Sequence, residues 1–224
     1  MITEKLMLLA GASAPLARLY APIYEKARVV PGDSFNTITS RNGIAMLLAH
    51  GSIESMGFSR VREDLTYRVE TLKGLVGRDS KGRAFRYFTD EEAEKYGMIK
   101  QGKRVIQEAN QRMIGNLYYG GRMGNRGTHT DDGWNYRGTT HIQITGLTNT
   151  TNWANTLDLT PDQAVEFGKT PEGAVNGLLW YWRNHGLLVP ASRGDVVACT
   201  KLVQGGSGHL KERTELFEKL LPHV

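Results

Sequence analysis

The chain has 224 residues, of which 40% are hydrophobic and 23% charged, enough for a packed core and unlike a disordered or collagen-type polymer. Lys and Arg number 28 against 23 Asp and Glu, so the net charge is +5, an excess that favours an anionic partner without defining a nucleic-acid binder. A single cysteine, Cys199, excludes an intramolecular disulfide, and no apolar run reaches the roughly 18 residues that a membrane-spanning helix needs.

Residues 1–27 read as helical, with Pro15 marking a break or the start of a second helix. The opening MITEKLMLLAGASAPLA has the outline of a short signal peptide with a small-residue site near Ala14. However, Glu4 offsets Lys5, and Gly11 and Ser13 break the apolar run. Leu6, Leu9, Leu16, Leu19 and Tyr20 continue as a stripe, so a first packed helix is expected there. Residues 28–39, with Pro31-Gly32-Asp33, read as a loop.

A helix is expected from residue 40 to about 55. Ile44, Leu47, Leu48 and Gly51 recur at three- and four-residue steps, and one further turn reaches Glu54 and Ser55. Gly57 is a stop signal just beyond. Glu54 is thus expected at the end of a buried stripe near a helix C-terminus. Burial and the helix dipole would both raise its pKa, as a general acid near neutral pH requires. Glu63 follows nine positions later among Arg60, Arg62, Asp64 and Arg68, a setting that favours an ionised carboxylate. Two carboxyls in opposed surroundings suit a division into acid and base. Taken one at a time, the same residues equally describe a surface glutamate and an ordinary ion pair.

Residues 56–70 read as irregular or as a short hairpin, with Thr66 and Tyr67 extended. Residues 71–104 are a charged, glycine-punctuated sub-region in which Thr89-Asp90-Glu91-Glu92 signals a helix start. Residues 105–119 read as helical. The glycine-rich stretch that follows carries Tyr118, Tyr119, Trp134 and Tyr136, either as a sugar-stacking wall or as pins holding the loop to the core. It contains no phosphate-binding fingerprint. His141-Ile142-Gln143-Ile144-Thr145 alternates like a short strand, placing Gln143 and Thr145 on one face. That face suits hydroxyl and N-acetyl groups, or simply solvent.

Thr160-Pro161 and Pro171 open two helices, the second with Leu178, Trp180 and Tyr181 on its buried stripe. Residues 195–203 form a further helix, ended by Gln204-Gly205-Gly206, and the tail LKERTELFEKLL is amphipathic and packs on the domain. His129, Asp131 and Asp132 lack the spacing of a zinc or calcium site, so no metal is expected. No GxSxG elbow occurs, and Cys199 reads as buried and inert.

The order of the motifs is more specific than any one of them. A buried helix is followed by ESMGF, RVREDLTY, YGGRMGN, DGWNYRGTTHIQITG and, late in the chain, TKLVQGGSGHLKER. From about residue 40 to the C-terminus the chain resembles family 19 glycoside hydrolases of the phage-endolysin and bacterial-chitinase branch. ESMGF stands where the family's helix end reads HESGGF, and Glu63-Asp64-Leu65 matches its ENL-type segment. The resemblance implies a mainly α, two-lobed, lysozyme-like helical fold with a central cleft and at most a small β element. It also implies a single catalytic domain over 1–224, with no separate wall-binding domain. By the same resemblance, Glu54 is the general acid that protonates the leaving glycosidic oxygen. Glu63 is the base that activates a water on the opposite face, so the anomeric carbon inverts and the carboxyls stand roughly 6.5–9.5 Å apart. Gln143, Thr145 and Asn149 map onto positions lining the sugar subsites, and Tyr136 and Arg137 belong to the same wall.

There are departures. Ile53 replaces the histidine that precedes the acid, with His50 one turn earlier and expected to reach the site. Arg137-Gly138-Thr139-Thr140 replaces RGRG, Gln204 replaces the asparagine of the late NGG motif, and Thr150 stands where an aromatic is common.

The expected function is an endolysin-type muramidase acting on peptidoglycan glycan strands, with no cofactor. A chitinase of the same family is the alternative, and a non-catalytic cell-wall-binding protein is the alternative from another class. Neither nucleic acid nor stable membrane insertion is expected, and the chain is expected to be a monomer. It would be made in the host cytoplasm and reach the wall in the periplasm after holin-type release.

Overall fold

The computed structural model describes all 224 residues. Thirteen α-helices and two two-stranded antiparallel sheets make this a mainly helical fold of the lysozyme-like class. The chain divides into two compact units. Unit 1 is Met1–Arg62, Gly138–Ile144 and Gln163–Val224, and unit 2 is Glu63–Arg137 and Thr145–Asp162.

Unit 1 begins with α1 (Glu4–Leu9), capped by the Thr3 hydroxyl on the Leu6 N–H at 3.2 Å. Leu6 and Met7 are buried, so the opening segment is a packed helix. α2 (Ala14–Ala27) starts with Pro15 in its first turn, where the missing N–H costs nothing. In α3 (Arg41–Glu54) the Ser40 hydroxyl caps the Gly43 N–H at 3.0 Å. Every residue from 43 to 52 is buried, so α3 is enclosed on all sides rather than along the one stripe expected.

Unit 2 holds α4 (Val69–Gly74), the hairpin β1 (Val76–Arg78) and β2 (Ala84–Arg86), and α5 (Asp90–Tyr96). The start of α5 is the expected capping box: the Glu92 N–H donates to the Thr89 hydroxyl at 3.1 Å, and the Thr89 N–H donates to the Glu92 carboxylate at 2.9 Å. A second hairpin, β3 (Ile99–Gln101) with β4 (Arg104–Gln107), precedes α6 (Gln111–Tyr119). Helix was expected from 105 onward. Instead the β-branched Val105 and Ile106 lie in a strand, and helix begins only after Asn110, whose side chain caps Met113. The short α7 (Asp132–Asn135) and α8 (Leu147–Asn155) complete this unit, whose core is Leu65, Val69, Leu72, Phe88, Ala93, Ile114 and Tyr119.

At α9 (Pro161–Gly168) the chain returns to unit 1 and continues through α10 (Pro171–Asn184), α11 (Leu188–Arg193), α12 (Val196–Gln204) and α13 (Leu210–Leu220). α10 packs on α2, while α11 and α13 pack on α3. On α10, Leu178 and Trp180 are buried as expected, but Tyr181 is half-exposed. α12 stops at Gln204 because Gly205 turns left-handed, at φ 71°.

The segment expected to be a strand, 141–145, is a turn. Gln143 has φ 57°, and only Ile144 makes a bridge, to Thr139, so Gln143 and Thr145 do not share a strand face. His141 is drawn into the core of unit 1, its Nδ1 2.8 Å from the Tyr24 hydroxyl and its ring edge-on to Tyr20 and Phe58.

Candidate active site

Glu54 is the last residue of α3. Beyond it the Ser55 hydroxyl donates to the Gly51 carbonyl at 2.5 Å and accepts from the Phe58 N–H at 3.0 Å, closing the helix end. Met56, Gly57 and Phe58 then take successive positive φ values of 52°, 69° and 64°. Glycine is required at the middle position, because a Cβ there would stand 2.4 Å from the Gly11 carbonyl oxygen. This turn fixes where α3 ends, and so where Glu54 sits.

Glu54 ends the buried helix as expected, and it has a partner that the local sequence does not show. Its carboxylate is hydrogen-bonded to Nη2 of Arg213, whose side chain is wholly buried while that of Glu54 stays 18% exposed. Gln204 completes the group. Its amide oxygen accepts from Arg213 Nη2 at 2.6 Å and its nitrogen donates to the Gly208 carbonyl at 3.0 Å. Turned the other way, the nitrogen would lie 3.4 Å from Glu54 Oε1 but would face the donor-only guanidinium, so the first orientation holds.

His50 does not reach a substrate. It is 0% exposed, its Nδ1 lies 3.1 Å from the Met46 carbonyl, and its ring meets Trp182 edge-on. Burial, helped by the charge of Arg213, pushes its pKa down to about 3, so it is a neutral core residue.

Glu63 belongs to unit 2, at its first residue. The Tyr119 hydroxyl donates to Glu63 Oε1 at 2.7 Å. Tyr119 is 8% exposed, and burial together with the neighbouring Glu63 charge holds its pKa well above the usual phenol value, so it remains a donor. Arg137 fixes the main chain here: its Nε donates to the Glu63 carbonyl at 3.2 Å and its Nη1 to the Trp134 carbonyl at 2.7 Å. The guanidinium lies 3.3 Å from the Trp134 ring centroid, a cation–π contact. Burial lowers the pKa of Arg137 from its ordinary value.

The other expected residues are placed as follows. Tyr136 is 8% exposed and its hydroxyl donates to Asp162 at 2.9 Å; burial and that carboxylate push its pKa up to about 12. Asn149, on the first turn of α8, donates to the Thr145 carbonyl at 3.1 Å. Gln143 donates to the Thr140 carbonyl at 2.9 Å within its turn. Glu54 and Gln204 therefore meet through Arg213, Glu63 meets Arg137, and Thr145 meets Asn149.

Three contributors were missed. Arg213 lies on α13 at spacings of four and seven from the buried Phe217 and Leu220, so an arginine on an apolar stripe was the available signal. Tyr119 was noticed only as a member of an aromatic group. Asn125 is 6% exposed and links two elements: its amide donates to the Tyr119 carbonyl at 3.0 Å and accepts from the Leu147 N–H at 2.9 Å. Asp131 pairs with Arg112 and Asp132 with Arg126.

No family model matches the chain. It is 32% identical over 181 residues to a glycosyl hydrolase family 19 domain-containing protein of Haemophilus influenzae, an alignment covering 79% of this chain and 78% of the relative. The chain belongs to glycoside hydrolase family 19 and is a glycoside hydrolase.

Proposed function

We propose that the chain is an endolysin-type muramidase that cleaves the β-1,4 bond between N-acetylmuramic acid and N-acetylglucosamine in peptidoglycan. Glu54 donates a proton to the leaving oxygen, Glu63 takes a proton from the attacking water, and the product inverts. The observation that carries this reading is the preparation of Glu54: a helix-end carboxylate still 18% exposed and fixed by a wholly buried arginine. Glu63 is held by the Tyr119 donor, which supports a role in which the carboxylate's orientation matters. Net charge supports an anionic wall polymer over neutral chitin. In this reading the enzyme acts as a monomer without a cofactor and reaches the wall through a holin-type pore.

Mass analysis of products from purified peptidoglycan and from chitin tests the assignment. Products ending in reducing muramic acid support the muramidase. Products from chitin alone would make the chain a chitinase. Lysis of outer-membrane-stripped cells that Glu54→Gln leaves intact would make it a non-catalytic wall-binding protein.

A further inference from the structure

The positive charge of this chain is not spread over it. The two hairpins of unit 2, residues 76–86 and 99–107, carry Arg78, Lys81, Arg83, Arg86, Lys100, Lys103 and Arg104 against the single acid Asp79. The chain's whole excess is +5, so the remaining residues together are close to neutral. Arg83 is paired with Asp79, and Arg86 with Asp90. Lys100, Lys103 and Arg104 of the second hairpin are all exposed and have no ion pair.

The same hairpins display apolar side chains to solvent. Val76 is 63% exposed, Ile106 55%, Phe85 41% and Val105 36%. Each sheet has only two strands, so every strand is an edge. Lysines on an edge are a familiar guard against strand pairing between molecules. That guard accounts for the cations but not for exposed aliphatics beside them, which would invite the association it prevents. A soluble polyanion would use the cations and leave the aliphatics unused. An anionic bilayer surface uses both, with phosphates meeting Lys and Arg while Val, Ile and Phe enter the headgroup boundary.

We propose that the hairpins of unit 2 form a peripheral docking surface for an anionic phospholipid bilayer. This goes beyond the hydrolase reading and does not depend on it. Glu54→Gln protein should bind vesicles as the wild type does, so a failure of the catalytic assignment leaves this proposal standing.

The test is co-sedimentation of the full chain with phosphatidylcholine vesicles, with and without phosphatidylglycerol, at low and high salt. Binding is expected only with phosphatidylglycerol and weaker at high salt. The K100E/K103E/R104E variant should lower the partition coefficient at least about tenfold, and Ile106→Asp several-fold. The K5E/R18E/K26E variant, with the same charge change on exposed residues of α1 and α2, should fall far less. Circular dichroism of each variant confirms folding.

Equal losses in the two triple variants would reduce the effect to net charge and overturn the proposal. So would absence of binding to phosphatidylglycerol vesicles. If heparin competes fully and Ile106→Asp binds normally, the surface takes a soluble polyanion instead. A concentration-dependent dimer abolished by the hairpin variant would make it an interface between copies of this chain.

Discussion

The two units keep their polar groups in different ways. Unit 1 buries them: His50, His141 and Arg213 are each 0% exposed, and Arg213 has Nε and Nη1 buried with no acceptor in reach. Unit 2 pairs its charges with one another, as in the Arg112–Asp131 pair, where both side chains are more than a third exposed, and the Arg126–Asp132 pair, where the carboxylate is buried but its arginine is exposed. The carboxylates follow suit, Glu54 held by a buried cation and Glu63 by a neutral phenol. Desolvation therefore governs His50 and His141 of unit 1, whereas hydrogen bonds from arginines govern Asp131 and Asp132 of unit 2. The two should respond differently to substitution and to acid.

The largest effect expected is on catalysis. Glu54→Gln keeps the shape of the side chain and removes the transferable proton, so kcat on peptidoglycan should drop by about a thousandfold. A loss under about tenfold would remove Glu54 from the acid role.

The same pair tests the burial contrast within unit 1. Deleting one member of a buried ion pair costs roughly 3–5 kcal/mol when the other is stranded away from water. Here the members are unequal. Glu54→Gln strands Arg213, which no solvent reaches, whereas Arg213→Met leaves Glu54, which is 18% exposed and can hydrate. Urea midpoints should show Glu54→Gln as the more destabilising change, by about 3 kcal/mol, and the double variant should recover most of that loss. The reverse order would mean that burial is not what sets the cost.

Legibility divides along similar lines. Local signals were readable: Ser40 to Ser55 bounded α3, Thr89 and Glu92 opened α5, and Pro15, Pro161 and Pro171 marked helix starts. Glu54 could be placed at a helix end because hydrophobic spacing counts turns. What failed was decided by tertiary contact. α8 was invisible because LTNTTNWAN is rich in Thr and Asn, poor helix formers that packing of Trp153 and Ala154 overrides. Burial alternates only over 142–145, and a turn at Gln143 that draws His141 inward breaks the pattern before it. Arg213, the partner of Glu54, comes from a helix 159 residues away, and no local window connects them.

Acid should separate the units. Burial depresses the pKa of His50 and His141 from 6.5 to about 3 in the folded chain. Between those limits the unfolded state binds more protons than the folded state, so stability rises with pH. It is fully present above about 6.5 and is lost as pH falls toward about 3. Two such groups give a slope of up to about 2.7 kcal/mol per pH unit in the lower part of that window. Unit 2 has no counterpart there. Its Asp131 is pulled from 3.8 to about 2 by hydrogen bonds from Arg112 and Asn116, so that contribution is intact above 3.8 and lost only below it. Hydrogen exchange at a pH between 3.8 and 6.5 should show unit 1 amides losing protection first, and His50→Leu should roughly halve the slope of stability against pH. Equal loosening of both units would mean that the histidines are not the determinant.

The smallest effect distinguishes the two ways of holding a carboxylate. Tyr119→Phe removes one hydroxyl and leaves the buried ring, so the core of unit 2 should keep its packing and the melting temperature should change little. The hydrogen bond it removes orients the Glu63 carboxylate. Its loss should lower kcat per folded molecule by about three- to tenfold. A purely structural tyrosine would lower the amount of folded enzyme and leave kcat per folded molecule where it was. An unchanged kcat per folded molecule would therefore show that the phenol packs against Glu63 without orienting it.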